Sequence, residues 1–134
     1  MRFGEAVEHM KAGRYVSRNG WRGMVLMFFP ALSEVTVPPD HPYHDLIGGD
    51  GEEEVTATIG GHFDMLMTVS GHPVISVGWA PGPNDIVATD WMLVDANGQP
   101  IDYAGEPIDL SAGPYDEQLD ARRQAMAESV PDVE

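Results

Sequence analysis

Phe3, Ala6, Val7 and Met10 recur at i, i+3, i+4 and i+7, with Glu5, Glu8 and Lys11 on the opposite side. That is the period of a short amphipathic helix. Gly13 stands where a left-handed C-terminal cap belongs, so the spacing predicts a helix over residues 3–12. The period then falls to two: Arg14-Tyr15-Val16-Ser17-Arg18 alternates, and Asn19-Gly20 is a strong hairpin signal leading into Met24-Val25-Leu26-Met27-Phe28-Phe29. The second strand is apolar on both faces. One face is expected on the protomer's own core, and a partner subunit is the simplest cover for the other.

Pro30 ends that strand, and Ser33-Glu34-Val35-Thr36-Val37 predicts another before Pro38-Pro39. Residues 40–61 hold five glycines and six acids around one strand-like piece, Val55 to Ile59, and read as an exposed insertion whose geometry nothing fixes. A second hairpin is predicted from His62 to Val69 and Pro73 to Trp79, turning at Ser70-Gly71-His72. Ala80-Pro81-Gly82-Pro83 breaks the chain, Asn84 caps a single helical turn through Ala88, and Trp91-Met92-Leu93-Val94 forms a last strand. Residues 95–114, with three prolines, are expected to be irregular. The stretch DEQLDARRQAMAE favours a peripheral or frayed helix, since it has only Leu119, Ala125 and Met126 to bury. Pro131 onward is expected to be disordered.

Charge changes the picture more than composition does. The chain has 134 residues, no cysteine, and 22 acidic against 7 basic side chains, for a net charge of -15. Five of the seven bases, Arg2, Lys11, Arg14, Arg18 and Arg22, lie in the first 22 residues, where Glu5 and Glu8 leave a net +3. From Gly23 to Ala121 there are seventeen acids and no Lys or Arg. The length fits one core, and the mean field repels long nucleic acids and anionic membranes. No run reaches a membrane span, and MRFGEAVEHM lacks a signal-peptide apolar region, so a cytoplasmic protein is expected. The absence of cysteine removes disulfides, thiolate metal sites and thiol nucleophiles.

Candidate chemistry concentrates in Ser17-Arg18-Asn19-Gly20-Trp21-Arg22-Gly23. Guanidinium groups pair with phosphate, an indole face stacks on a base for about 1–3 kcal/mol, and glycine lets backbone N–H groups approach a ligand. Arg18 and Arg22 are the candidates for a diphosphate and Trp21 for base stacking; the plainer reading is an Asn-Gly turn with Trp21 plugging the sheet end. Asp64 could accept from an exocyclic amine or ribose hydroxyl, or be a buried structural carboxylate. Thr89 and Asp90 could read a base edge, or cap and start a strand. His62 with Asp64, joined by His41, His44 and Asp45, would make a metal site only if the insertion brought them together, and no metal is expected. No catalytic triad, phosphate-cradling loop or carboxylate dyad is visible.

Phe3-Gly4-Glu5-Ala6, Gly13-Arg14-Tyr15-Val16-Ser17-Arg18-Asn19-Gly20-Trp21, Val37-Pro38-Pro39, His62-Phe63-Asp64-Met65, Trp79-Ala80-Pro81 and Asp85-Ile86-Val87-Ala88-Thr89-Asp90-Trp91, in this order, resemble the phage-encoded Thoeris anti-defence protein two family. That family includes a sponge that sequesters the cyclic ADP-ribose-type signal of bacterial Thoeris immunity. The resemblance covers about residues 1–95 apart from the insertion 40–61, and leaves 96–134 as a C-terminal extension. It implies an α+β fold: a compact, mainly antiparallel β domain with one N-terminal helix and a short helical turn before the last strand. It also implies a homotetramer with pockets between protomers, no cofactor and no catalysis. Glycocyclic ADP-ribose, and in some relatives cyclic oligonucleotides, would be held intact. Carried onto this chain, Asn19, Gly20, Trp21 and Met24 would line one wall, and Ala88, Thr89 and Asp90 the other.

Two other classes compete. An acidic mimic of DNA, occupying the basic surface of a host nuclease or transcription factor, fits the charge but leaves the N-terminal bases unexplained. A hydrolase of cyclic nucleotides would have to work through His62 and Asp64.

Overall fold

The computed structural model describes residues 1–129; the expectation for Pro131 onward lies outside them. The first helix, α1 (Phe3–Lys11), buries Ala6 and Met10, the positions its period marks, and ends at Ala12 with Gly13 at φ +89°. Strand β1 (Tyr15–Arg18) follows, then β2 (Val25–Phe29). Later come β5 (His62–Val69), β6 (His72–Trp79), a five-residue helix α2 (Pro83–Val87) and β7 (Trp91–Val94); between β2 and β5 lie β3 (Leu32–Val37) and β4 (Val55–Ile59). The main sheet has the order β6-β5-β2-β1-β7, and β3 pairs β4 in a separate two-stranded sheet. The β1–β2, β1–β7, β3–β4 and β5–β6 pairings are antiparallel, so the fold is α+β and mainly antiparallel.

The chain forms two compact units, one of residues 1–28 with 63 onward, the other Phe29–His62. In the first, Val16, Leu26, Trp91, Leu93 and Val94 form the densest part of the core, each 2% exposed or less. Strand β7 pairs β1 in an unbroken register from Tyr15↔Val94 to Arg18↔Trp91. All four of its residues are buried, although β7 ends the sheet order. The cover comes from the segment that follows. Ile101 N–H donates to the Leu93 carbonyl at 3.0 Å, and the Tyr115 hydroxyl accepts from Leu93 N–H at 3.0 Å while donating to the Ile101 carbonyl at 2.8 Å. A bare strand edge invites pairing with other chains; here the extension occupies it.

That extension is more ordered than its composition suggests. A 3-10 turn (Leu110–Ala112) precedes α3 (Tyr115–Ser129). Helix α3 is weakly amphipathic and buries Tyr115 and Leu119. Polar anchors hold it instead: Arg122 Nη1 meets Asp102 Oδ2 at 2.9 Å, and Asp116 Oδ1 meets the Met1 amine at 2.7 Å. Burial alone would raise the Asp102 carboxyl, but N–H donors from Glu106 and Ala104 and the Arg122 guanidinium outweigh it and hold the group below its ordinary range.

In the second unit, the segment expected to lack fixed geometry is organised around His44, which is 1% exposed. Its Nε2 lies 2.6 Å from the Glu53 carbonyl and its Nδ1 3.1 Å from Asp45 Oδ1. A side chain on Gly49 would collide with the imidazole. The glycine count reads as looseness in sequence, but one of these glycines makes room for a buried ring.

Candidate functional site

Strands β1 and β2 are joined by residues 19–24, a wider connection than a two-residue hairpin. Two turns follow each other, Trp21 N–H to the Arg18 carbonyl at 3.0 Å and Met24 N–H to the Trp21 carbonyl at 2.8 Å. They require Gly20 and Gly23 at φ +90° and +74°. The Ser17 hydroxyl donates to the Met24 carbonyl at 2.7 Å, and Asn19 N–H donates to the Asp90 carbonyl at 3.3 Å. Gly98 packs against the loop so closely that a Cβ there would lie 3.0 Å from Gly23 Cα.

Two recesses flank Asn19. One, of about 210 Å³, is lined on the loop side by Asn19, Gly20, Trp21 and Arg22. The other, of about 250 Å³, is lined by Asn19, Thr89, Asp90 and, from the extension, Leu110, Tyr115 and Asp116. The structure thus brings Arg18, Asn19, Gly20, Trp21, Arg22, Thr89 and Asp90 into one neighbourhood. The remaining candidates fall elsewhere. Met24 packs against the core, and Ala88 lines a different recess with Phe3 and Ile86. Asp64 is buried and accepts from Gly78 N–H at 3.2 Å beside the β5–β6 register shift, where Gly78 takes φ +79°. It therefore pins a β-bulge.

The charges differ most from expectation. Arg18 lines the loop-side recess, but its guanidinium is already paired there: Nη1 meets Asp85 Oδ1 and Nε meets Asp90 Oδ1, both at 2.9 Å. The hydrogen bond to Asp90 first, then that to Asp85, raises its pKa further. Arg18 is a strut tying β1 to the segment before β7. Arg22 is exposed and makes no ion pair with a carboxylate among the described residues.

Trp21 is half-buried in an aromatic cluster. Its ring stands edge-to-face to Trp79 at 5.8 Å and to Trp91 at 5.3 Å, an arrangement that ring quadrupoles favour. Trp91 is fully buried, and its indole N–H donates to the Asp85 carbonyl at 2.9 Å. The plug and the partly exposed platform are thus the same residue.

His62 stacks on Phe29 at 5.2 Å and bonds the Gly60 carbonyl at 2.9 Å. Among the described residues no three His, Asp or Glu side chains are grouped to hold a metal. Sequence reasoning missed Asp85 and the extension's Leu110, Tyr115 and Asp116. The available signal was Asp109, whose carboxylate caps Ser111 N–H at 2.9 Å, a turn marker ahead of Gly113-Pro114.

The sequence of this α+β domain matches a known family. Residues 1–94 match the family model for the Tad2-like, Thoeris anti-defense 2-like domain. The chain is 30% identical over 94 residues to the protein named Thoeris anti-defense 2 of Bacillus phage SP01, covering 70% of this chain and 94% of that protein. It belongs to the Thoeris anti-defense 2-like family. The match ends at the last residue of β7, so the 3-10 turn and α3 lie beyond it.

Proposed function

We propose that the chain is an anti-Thoeris sponge that binds a cyclic ADP-ribose-type signal, glycocyclic ADP-ribose, and sequesters it without cleaving it in the cytoplasm of an infected bacterium. Cyclic oligonucleotides are a second ligand class to test. The family membership carries this reading, and the recess supports it. Arg22, with no ion pair to a carboxylate among the described residues, supplies a cation for the diphosphate, Trp21 a partly exposed indole for a base, and Asn19, Thr89 and Asp90 polar groups for ribose or base edges. Arg18, Asp85 and Asp90 form an ion-pair network, with one cation between two carboxylates, that holds those groups in place. A sponge needs such preorganised groups and, for a scarce signal, roughly nanomolar affinity.

Self-association into a homotetramer belongs to the same proposal. The edge strand β6 exposes Ile75 and Val77 at 65% and 71%, next to Val69 at 52%, an apolar edge suited to pairing with a second copy. Light scattering of the purified chain tests it: a monomeric mass refutes the oligomer. For the sponge, the protein is incubated with glycocyclic ADP-ribose, filtered and heat-denatured. Recovery of intact signal from the protein fraction is the expected result. Signal left free in the filtrate refutes binding, and recovery of a cleaved product refutes sequestration.

The alternative of an acidic DNA mimic keeps one observation in its favour, the seventeen acids from Gly23 to Ala121 with no Lys or Arg among them. Such a protein would bind a basic partner with strongly salt-dependent affinity and bind no nucleotide.

A further inference from the structure

Half of the wall of the 250 Å³ recess comes from beyond the family match: Leu110, Gly113, Pro114, Tyr115 and Asp116. The 210 Å³ recess takes Gly98, Gln99, Pro100 and the same Leu110 from beyond it. Leu110 lines both, as Asn19 and Met92 do, and is the one shared residue that the extension supplies; it is 38% exposed and the first residue of the 3-10 turn. Hydrogen bonds hold the turn that carries it. Gln118 Nε2 donates to the carbonyls of Asp109 at 2.8 Å and Gly113 at 2.7 Å, clamping the turn at both ends to α3, and the buried Tyr115 fastens α3 to β7.

From this arrangement we infer that the C-terminal extension is a specificity element. It divides the recess into two compartments at Leu110 and selects a two-lobed ligand, a nucleoside and a ribosyl half joined by a diphosphate, that straddles the leucine. The inference rests on the nucleotide-binding reading above. Sites that enclose a whole drug-sized ligand run to about 300–1,000 Å³, so each compartment takes one half of such a molecule.

The two compartments differ in polarity, which orients the ligand. The loop compartment offers Arg22 and Trp21, a cation and an aromatic surface. The extension compartment offers Asp90 and Asp116. Each uses Oδ1 in its ion pair, and Oδ2 of each accepts no hydrogen bond among the described residues. Carboxylate oxygens repel phosphate and accept from hydroxyls and amines. The diphosphate therefore belongs beside Arg22, and the donor-rich edge, a ribose cis-diol or an exocyclic amine, beside Asp90 and Asp116.

Calorimetric titration of the full chain tests this with three probes, ADP-ribose, AMP and ribose 5-phosphate, against wild type, Leu110→Trp and Leu110→Ala. Wild type should bind ADP-ribose at least about tenfold more tightly than either single-lobed probe. Leu110→Trp, which raises the divider, should weaken ADP-ribose about tenfold or more and AMP less than about threefold. Leu110→Ala, at an exposed position that tolerates truncation, should reduce the preference for ADP-ribose over AMP by at least about threefold. Equal effects of Leu110→Trp on ADP-ribose and AMP, or none on either, overturn the inference. So does a wild type that captures the cyclic signal yet binds ADP-ribose no better than AMP, and in that case the sponge reading stands. A wild type that binds no nucleotide at all overturns both.

Discussion

Replacing Tyr115 by Phe removes one oxygen and leaves the ring. In the native chain that oxygen accepts from Leu93 N–H at 3.0 Å and donates to the Ile101 carbonyl at 2.8 Å, and Leu93 is 1% exposed. The substitution strands a buried backbone donor and weakens the satisfaction of a half-buried acceptor. An unsatisfied buried group costs about 1–3 kcal/mol, the first loss being complete and the second partly made good by water, so about 2–3 kcal/mol is expected in all. For a chain of this length that lowers Tm by about 10 °C. Urea unfolding followed by tryptophan fluorescence reads it directly, as a fall in midpoint with little change in slope.

A pH series adds an independent check. Burial, opposed by the Leu93 N–H, pushes the Tyr115 hydroxyl far above its ordinary value of 10.0. The folded state therefore keeps its proton at pH values where the unfolded chain releases it. The stabilisation from this group is complete below about pH 10 and falls as pH rises beyond it. The difference between wild type and Tyr115→Phe should shrink over the same range. A loss under about 0.5 kcal/mol, within the ordinary range for a surface change, or identical alkaline profiles for the two proteins, would refute this account of how the extension is held.

Trp21→Ala should abolish capture of the cyclic signal and, by opening the edge-to-face cluster, cost about 1–2 kcal/mol of stability. Trp21→Phe keeps the packing and separates the two effects, and unchanged capture by Trp21→Ala removes the indole from the site. Arg18→Met leaves Asp85 and Asp90 facing each other without their cation and should cost about 1–2 kcal/mol in chemical denaturation. Arg18→Lys should recover only part of this, because one ammonium cannot span two carboxylates as Nη1 and Nε do; full recovery would show that charge alone suffices. The Glu53 carbonyl, then Asp45, raises the pKa of His44 above 6.5. The loop around His44 should therefore be most resistant to proteolysis below about pH 6.5 and open as pH rises through the raised value. His44→Gln should flatten that dependence, and Gly49→Ala, by expelling the ring, should leave the loop sensitive at every pH.

Local periodicity determined a good deal about this protein. The spacing of Phe3, Ala6, Val7 and Met10, the Asn-Gly signal after β1 and the turn at Ser70-Gly71-His72 between β5 and β6 predict elements that form, because each depends on neighbours within a turn or a strand pair. The run around Trp21 was visible for the same reason, since its glycines and aromatic serve a local turn. Which charges are free was not visible. Arg18 and Arg22 are four residues apart and look alike in sequence, yet Asp85 and Asp90, 67 and 72 residues away, bind one and leave the other. Nor could periodicity reveal that α3 docks, because its anchors are a phenol, an arginine and an aspartate whose partners lie on distant segments. Sequence by itself determined the helix, the strands and the loop bearing the candidate site. The tertiary structure decided that His44 is buried, that Arg18 is a strut and that Leu110 lines both recesses, because pairing and burial depend on contacts that hydrophobic periodicity does not encode, most of them between segments far apart along the chain.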